Sequence, residues 1–174
     1  VKVLNRIDIL LAEDKRTTNK LLNHFSINVK TVSYHQYNEH KNLQKCIDLI
    51  KNNELVGLVS DAGTPSISDP GFLLVRECIK NEIIVECLPG PTALIPALVK
   101  SGFSCENFIF YGFIPAKKGR KSFLLKISQE EKTMIFYESP HRLLRTLNDF
   151  KEIFNNQRDY SVSKEISKIY EETK

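Results

Sequence analysis

Three segments of the sequence share one pattern: a run of apolar residues, a polar turn, and a proline that opens a helical pattern. The apolar runs cover residues 55–60, 83–88 and 133–138, and the prolines that follow them are Pro70, Pro91 and Pro140. Proline is favoured in the first turn of a helix, where its missing N–H would lack a partner in any case. Alternation of strands and helices predicts parallel βαβ units and an open α/β sheet.

Two strand–helix pairs precede these units, and one further strand follows the second of them. The early strands are predicted at residues 7–12 and 31–34, with Asp14 and Asn38 as caps of the helices that follow. After a break, a new strand pattern begins at residue 107. We therefore predict two α/β domains, residues 1–106 and residues 107–174.

Composition excludes several classes of protein. In 174 residues no apolar run approaches the ~18 that a membrane-spanning helix needs, and we find no basic-then-apolar secretory leader. The four cysteines form no C-x-x-C pair and do not cluster with histidine, which argues against a disulfide framework and against a zinc site. We therefore expect a cytoplasmic protein without a bound metal. The net charge of +4 excludes little by itself.

The loop SDAGTPSISDPG at residues 60–71 carries the strongest functional signal. A strand-to-helix turn usually takes about 2–6 residues, so this longer run of small and hydroxyl residues favours a binding role. Ligands of open α/β sheets bind at the carboxyl ends of the strands. Asp61 and Asp69 could bind hydroxyls, amines or a cation. The loop matches neither G-x-x-x-x-G-K-[ST] nor G-x-G-x-x-G, which disfavours nucleotide hydrolysis and dinucleotide redox chemistry.

Four motifs in order carry a resemblance to a known family: SDAGTPSISDPG at 60–71, PGPTA at 89–93, YGFIP at 111–115 and YESPHR at 137–142. Together they resemble the ribosomal RNA small-subunit 2′-O-ribose methyltransferases, which are class III, tetrapyrrole-methylase-like S-adenosylmethionine enzymes. The similarity covers essentially the whole chain. The family's usual Glu-Asp-Thr-Arg is here Glu13-Asp14-Lys15-Arg16.

The resemblance implies a fold, a cofactor and partners. The fold would be two αβα domains, with a mostly parallel N-terminal sheet and a mixed C-terminal sheet. S-adenosylmethionine would lie in the cleft between the domains of a homodimer. The target would be a cytidine of small-subunit ribosomal RNA within the 30S subunit. Relative to the family, we expect a strand and loop ahead of residue 1, and another after residue 174, to be missing, so that this chain is a fragment.

By the same resemblance, the methyl donor is contacted by residues of three motifs, namely Asp61, Ala62, Gly63, Thr64, Ile67, Thr92, Ala93, Tyr137 and Glu138. Methyl transfer depends chiefly on positioning, which can supply about 7–11 kcal/mol without a strong base. The candidates for accepting the proton of a ribose hydroxyl are Glu13, Asp14, Glu138 and His141. Each has a structural alternative: a helix cap for Asp14, a turn contact for Glu138, and simple exposure for His141. Whether the reaction uses a dedicated general base therefore remains open.

The segment KKGRK at residues 117–121 is the densest cluster of positive charge. It either contacts RNA phosphates or forms a solvated loop. Its place at the opening of the second domain favours RNA contact, and the predicted RNA-binding residues are Lys117, Lys118, Arg120, Lys121 and Arg142, with Arg145 extending the patch. Tyr111 and Phe113 are possible stacking partners, although Phe113 fits the core better.

Two other functions remain open. The chain could belong to a class III methylase of a tetrapyrrole or of a protein side chain, as in the diphthine synthases, or it could be a non-catalytic RNA-binding fragment. Charge reversal in the basic loop should impair an enzyme that acts on RNA but not one that acts on a small molecule. Binding of S-adenosylmethionine would distinguish a methylase from a non-catalytic fragment. His24, His35 and His40 lack metal-ligand spacing and receive no function.

Overall fold

The protein is described by a computed structural model that covers residues 1–155 and 157–174. The chain forms two compact units, Val1–Pro91 and Thr92–Lys174. Strands and helices alternate through most of its length. The predicted α/β fold class is confirmed.

The first unit is built on a three-stranded parallel sheet. Its elements in chain order are β1 (Ile9–Ala12), α1 (Lys15–His24), β2 (Lys30–Ser33), α2 (Glu39–Lys51), β3 (Val56–Val59) and α3 (Phe72–Lys80). The sheet order is β2-β1-β3. Ala12 pairs with both Ser33 and Val59, so the three strands end at the same level.

The central strand β1 is buried on both faces. Ile9 and Leu11 pack in a cluster with residues of α2 and α3, whereas Leu10 packs with Leu22 of α1. This division follows from the alternation of side chains along a strand. Each fully buried aliphatic side chain contributes about 1.5–3 kcal/mol. The sheet is therefore covered by helices on its two sides.

The second unit combines a parallel strand pair with three longer helices. It contains α4 (Leu94–Ser101), β4 (Phe108–Phe113), α5 (Arg120–Ile127), β5 (Thr133–Tyr137), a short 3-10 helix (Pro140–Arg142), α6 (Leu143–Phe154), β6 (Ser163–Lys164) and β7 (Glu172–Thr173). β4 and β5 are parallel, and β6 and β7 are antiparallel. Both strand directions thus occur, but in two separate sheets rather than in one mixed sheet.

The strand predicted at residues 83–88 is absent from the structure. Ile84 in this run is 88% exposed. A strand forms where a neighbouring chain takes its backbone hydrogen bonds, and none of the described strands pairs with this run. An apolar run therefore did not suffice to define a strand.

The position of helix α4 differs from two expectations, one for the domain boundary and one for Pro96. Its contacts with β5 and β7 group it with the second unit, whereas the boundary predicted near residue 106 lies beyond it. For the longer protein, that boundary stays a prediction. Pro96 is the third residue of α4. The helix starts late enough that Pro96 falls in the first turn, where an N–H donor has no partner within the helix, so its absence breaks no hydrogen bond.

Helix starts agree with the sequence in part. Asp14 caps α1, as predicted, by accepting a hydrogen bond from the Arg16 N–H. Asn38 makes no side-chain cap on α2, and α3 begins after its N-cap Gly71 rather than at Pro70. None of the helices within residues 1–155 and 157–174 is long and apolar enough to cross a membrane.

Gly71 joins the long loop to α3 and leads to a testable prediction. Its φ is 135°, and a Cβ there would lie 2.7 Å from Ser66 Oγ and 2.8 Å from Leu58 Cδ2. We expect Gly71→Ala to lower the free energy of unfolding by about 1–3 kcal/mol, as measured by urea denaturation.

Gly63→Ala is the matched control. Gly63 also has a positive φ, 71°, but a Cβ there would meet no atom within 4 Å. Gly63→Ala should lower the free energy of unfolding by only the cost of the backbone conformation, about 1 kcal/mol. Equal losses at the two positions would contradict the account of crowding at Gly71.

Candidate functional site

Three loops leave the carboxyl edge of the first unit's sheet side by side. They begin at Glu13, Tyr34 and Ser60, one residue after each strand. The Tyr34 N–H donates to the Ala12 carbonyl at 2.8 Å, and the Glu13 N–H donates to that of Val59 at 3.3 Å. This edge is where parallel α/β sheets bind ligands. Glu13, Asp14 and the loop 60–71 lie at it, as expected from the sequence.

Glu13 holds the beginning of the long loop. Its Oε2 atom accepts a hydrogen bond from the Asp61 N–H at 3.1 Å. The carboxylate therefore fixes the direction in which the chain leaves β3. This gives Glu13 a positioning role that the sequence did not reveal, alongside its candidacy as a base.

The far end of the loop is held by Glu39, a residue that the sequence analysis did not single out. Glu39 Oε2 accepts from the Gly71 N–H at 3.4 Å, a long hydrogen bond. Because Glu39 is the first residue of α2, the contact ties the β2 loop to the β3 loop. An acidic residue in the first helical turn is usually explained by the helix dipole, so the sequence offered no signal for this contact.

Between these two anchors, part of the loop is exposed to solvent. Asp61, Ala62 and Gly63 are exposed, and the Ile67 side chain is 42% exposed. Ser66 and Ser68 have positive φ values of 75° and 62°, a conformation that costs a non-glycine residue about 1–2 kcal/mol. Such conformations concentrate at binding sites.

Asp14 is a cap and a poor candidate for the base. It accepts from the Arg16 N–H at 2.8 Å and from Arg16 Nη2 at 2.7 Å. The hydrogen bonds from the Arg16 side chain and backbone lower the pKa of Asp14 to about 2. A carboxylate of such low pKa binds a proton weakly at neutral pH. The cap alternative is therefore favoured.

Asp69 has the opposite electrostatic environment. Burial raises the pKa of its carboxyl group, and the neighbouring Glu13 and Asp61 carboxylates raise it further, against a hydrogen bond from Ser60 that lowers it. Asp69 thus becomes a stronger base than an ordinary aspartate at the same edge of the sheet.

In the second unit, Glu138 lies directly after β5 with its side chain 8% exposed. Arg142 Nη2 lies 2.7 Å from Oε1, and the Ser139 N–H donates to the same oxygen at 2.7 Å. Thr146 Oγ1 donates to Oε2, also at 2.7 Å. Both oxygens of this carboxylate are bonded within the unit, so the structure favours the turn contact over a base.

Arg120 belongs to the same buried cluster, which argues against its predicted contact with RNA. The side chain is only 4% exposed. Nε donates to Asp149 Oδ2 at 2.7 Å, Nη2 to Thr146 Oγ1 at 2.7 Å, and Nη1 to the Pro115 carbonyl at 3.1 Å. Three of its five N–H donors are bonded inside the unit, and its burial keeps the guanidinium away from solvent.

The rest of the basic segment is available to a ligand. Lys117, Lys118 and Lys121 are exposed. Arg142 is partly committed, since it pairs with Glu138 and donates to the Ile114 carbonyl at 3.4 Å. Three lysines therefore remain from the predicted RNA-binding set.

The aromatic side chains beside this segment differ from expectation. Tyr111 stacks on Phe136 at 5.4 Å between ring centroids, within the apolar core of the unit. Phe113, which fitted the core better in the sequence, is 54% exposed. Phe113 is thus the one of the pair that could meet a ligand.

The remaining predicted residues lie in two places of the second unit. A cavity of about 810 Å³ includes Ala93, Tyr137 and Glu138 in its lining, so the structure brings these three together. Thr92 precedes α4, and His141 is exposed in the 3-10 helix Pro140–Arg142.

The sequence profile of the tetrapyrrole (corrin/porphyrin) methylases matches residues 1–174. The chain belongs to this methylase family.

Curated relatives carry a more specific name. The Ribosomal RNA small subunit methyltransferase I of Synechocystis sp. is 43% identical over 173 residues, which are 99% of this chain and 62% of the relative. The protein of that name from Vibrio cholerae is 44% identical over 170 residues, 97% of this chain and 59% of the relative. The one from Thermotoga maritima is 41% identical over 172 residues, 99% of this chain and 77% of the relative. The chain spans about three fifths of the length of the first two.

Thr146 and Asp149 are two further residues that sequence reasoning missed. With Arg142 they follow the i, i+4, i+7 spacing of one helical face. Polar residues repeated at that spacing, opposite an arginine-bearing loop, were the available signal for a buried polar cluster.

The buried cluster leads to a stability prediction. Arg120→Met would leave the Asp149 carboxylate without its guanidinium partner, and the Pro115 carbonyl and Thr146 Oγ1 without their donor. We expect the free energy of unfolding to fall by about 3–5 kcal/mol, as measured by urea denaturation. Lys121→Met, at the exposed neighbouring position, should change it by no more than about 0.5 kcal/mol. Similar small effects of the two substitutions would show that Arg120 is not a buried anchor.

Proposed function

We propose that this chain is part of an enzyme that transfers a methyl group from S-adenosylmethionine to the ribose 2′-hydroxyl of a cytidine in small-subunit ribosomal RNA. The observation that carries the proposal is the similarity, over 99% of the chain, to relatives named Ribosomal RNA small subunit methyltransferase I. The ribose and the cytidine follow from the resemblance of the four sequence motifs.

In the first unit, the methyl donor would be held by the loop between Asp61 and Ile67. The donor contacts at Thr92, Ala93 and Tyr137 stay predictions from the resemblance. When bound, S-adenosylmethionine supplies a methyl group on a positively charged sulfur. The chain's own contribution is to hold the loop rigid through Glu13 and Glu39. Fixed geometry of this kind can lower the barrier by about 7–11 kcal/mol.

Transfer to a hydroxyl releases a proton, which some group must accept late in the reaction. Of the four predicted candidates, Asp14 and Glu138 are committed to other partners. Glu13 and His141 remain. Asp69 joins them on electrostatic grounds, because its pKa is raised.

RNA would be bound by Lys117, Lys118 and Lys121. Exposed lysines in one loop neutralise phosphates and make RNA affinity fall with salt. Arg120 supports them indirectly, because its bond to the Pro115 carbonyl fixes the start of the loop. We further propose action on the assembled 30S subunit, in the cytoplasm and as a homodimer.

The direct test uses the whole protein, S-adenosylmethionine and 30S subunits that lack the modification. We expect primer extension to reveal one new 2′-O-methyl stop at a cytidine. The joint replacement of Lys117, Lys118 and Lys121 by Glu should weaken RNA binding and flatten its log–log salt dependence by about 2–3. Calorimetry should show unchanged affinity for S-adenosylmethionine.

Three exposed lysines elsewhere in the second unit, Lys126, Lys132 and Lys151, provide a control with the same change of charge. Their replacement by Glu should affect RNA binding much less. The absence of any stop would contradict the proposal. If the variant with Glu at positions 117, 118 and 121 still methylates a small molecule or a protein at full rate, the alternative class III activity is favoured. If the protein binds RNA but not S-adenosylmethionine, a non-catalytic module is favoured.

A further inference from the structure

Tyr37 is the most exposed aromatic side chain among the described residues, at 88%. It lies between β2 and α2, at the carboxyl edge of the first unit's sheet. Aromatic rings gain stability mainly by burying their large apolar area, so a ring left in water at this place contributes little to the fold. Its position at the ligand edge calls for a different explanation.

The loop that carries Tyr37 is closed by its own hydrogen bonds. Asn38 Oδ1 accepts from the His35 N–H at 2.9 Å, and Asn38 Nδ2 donates to the Ser33 carbonyl at 3.3 Å. The N–H groups of Asn38 and Glu39 both donate to the His35 carbonyl at 2.9 Å. Asn38 thus closes this loop instead of capping α2.

The Tyr37 ring extends from this closed loop and has one aromatic neighbour among the described residues. The His35 ring meets it edge-on, with 6.1 Å between ring centroids and an interplanar angle of 62°. The faces of the Tyr37 ring are left to solvent, as its exposure requires. A planar group presented in this way is pre-organised to stack.

The Tyr37 loop is also tied to the candidate donor loop. Glu39, two residues after Tyr37, accepts from the Gly71 N–H at the end of that loop. Lys41, which is exposed, adds a positive charge close by in the sequence. The ring and the loop 60–71 therefore belong to one connected edge within the first unit.

We propose that Tyr37 stacks on a nucleobase of the RNA substrate. This inference rests on the proposed function and names a recognition element that it did not include. Proteins that act on single nucleotides in folded RNA hold unstacked bases against aromatic side chains. Each stacked base strengthens binding by about 5- to 100-fold.

The affinity test uses the whole protein and a fluorescein-labelled, single-stranded RNA oligonucleotide of mixed sequence, followed by fluorescence anisotropy. Tyr37→Ala should weaken RNA binding by about 5- to 100-fold, whereas Tyr37→Phe, which keeps the ring, should remain within about twofold. Tyr170→Ala is the matched control, because Tyr170 is 78% exposed in the second unit. It should leave RNA binding unchanged. Affinity for S-adenosylmethionine should be the same in all variants.

A spectroscopic test reports stacking directly. The sequence contains no tryptophan. In Tyr37→Trp, addition of the RNA oligonucleotide should quench the new indole fluorescence, measured as the difference from the unsubstituted protein. The same addition should leave the fluorescence of Tyr170→Trp unquenched.

The outcomes distinguish this inference from the proposed function, because RNA binding is measured without methyl transfer. A large loss in Tyr37→Ala supports stacking even if no methyl transfer is found. Unchanged affinity in Tyr37→Ala, or an unquenched indole in Tyr37→Trp, overturns stacking even if methyl transfer is found. Equal losses in Tyr37→Ala and Tyr37→Phe would assign the effect to the hydroxyl group and would also overturn it.

Discussion

The register of β1 against its two neighbours is the constraint on which the candidate site depends. Ala12 pairs with Ser33 and with Val59, so three loops emerge at one level of the sheet. Only because they emerge together can Glu13 reach the Asp61 N–H and Glu39 reach the Gly71 N–H. A shift of one residue in either pairing would turn the strand over and separate these groups.

The second unit depends instead on a buried polar cluster around Arg120. Its guanidinium joins the basic loop, through the Pro115 carbonyl, to Asp149 and Thr146 of α6. Thr146 Oγ1 in turn donates a hydrogen bond to Glu138 at the end of β5. Buried charges of this kind are costly unless they are fully hydrogen-bonded. The positive charge of the segment 117–121 is thus divided between one interior anchor and three exposed lysines.

Sequence alone predicted the fold class, the parallel sheet of the first unit and the loop 60–71, because βαβ alternation and loop length are local signals. The prediction failed where the structure of a segment depends on residues that are distant in the sequence. Residues 83–88 have strand-like composition but no strand beside them. In α6 the apolar Leu144 is 79% exposed, whereas the polar Thr146 is buried. Arg120 shares the charge of its exposed neighbours, and only its distant partners Asp149 and Glu138 show that it points inward.

The central claim is that carboxylates at the sheet edge hold the donor loop in its binding conformation. Calorimetric titration of S-adenosylmethionine into the whole protein and its Glu13→Ala and Glu13→Gln variants tests it most directly. Loss of a charged hydrogen bond costs about 1.5–3 kcal/mol, so Glu13→Ala should bind the donor about tenfold or more weakly. Glu13→Gln keeps an acceptor for the Asp61 N–H and should retain most of the affinity. Equal affinity of the Glu13→Ala variant and the unsubstituted protein would contradict the account.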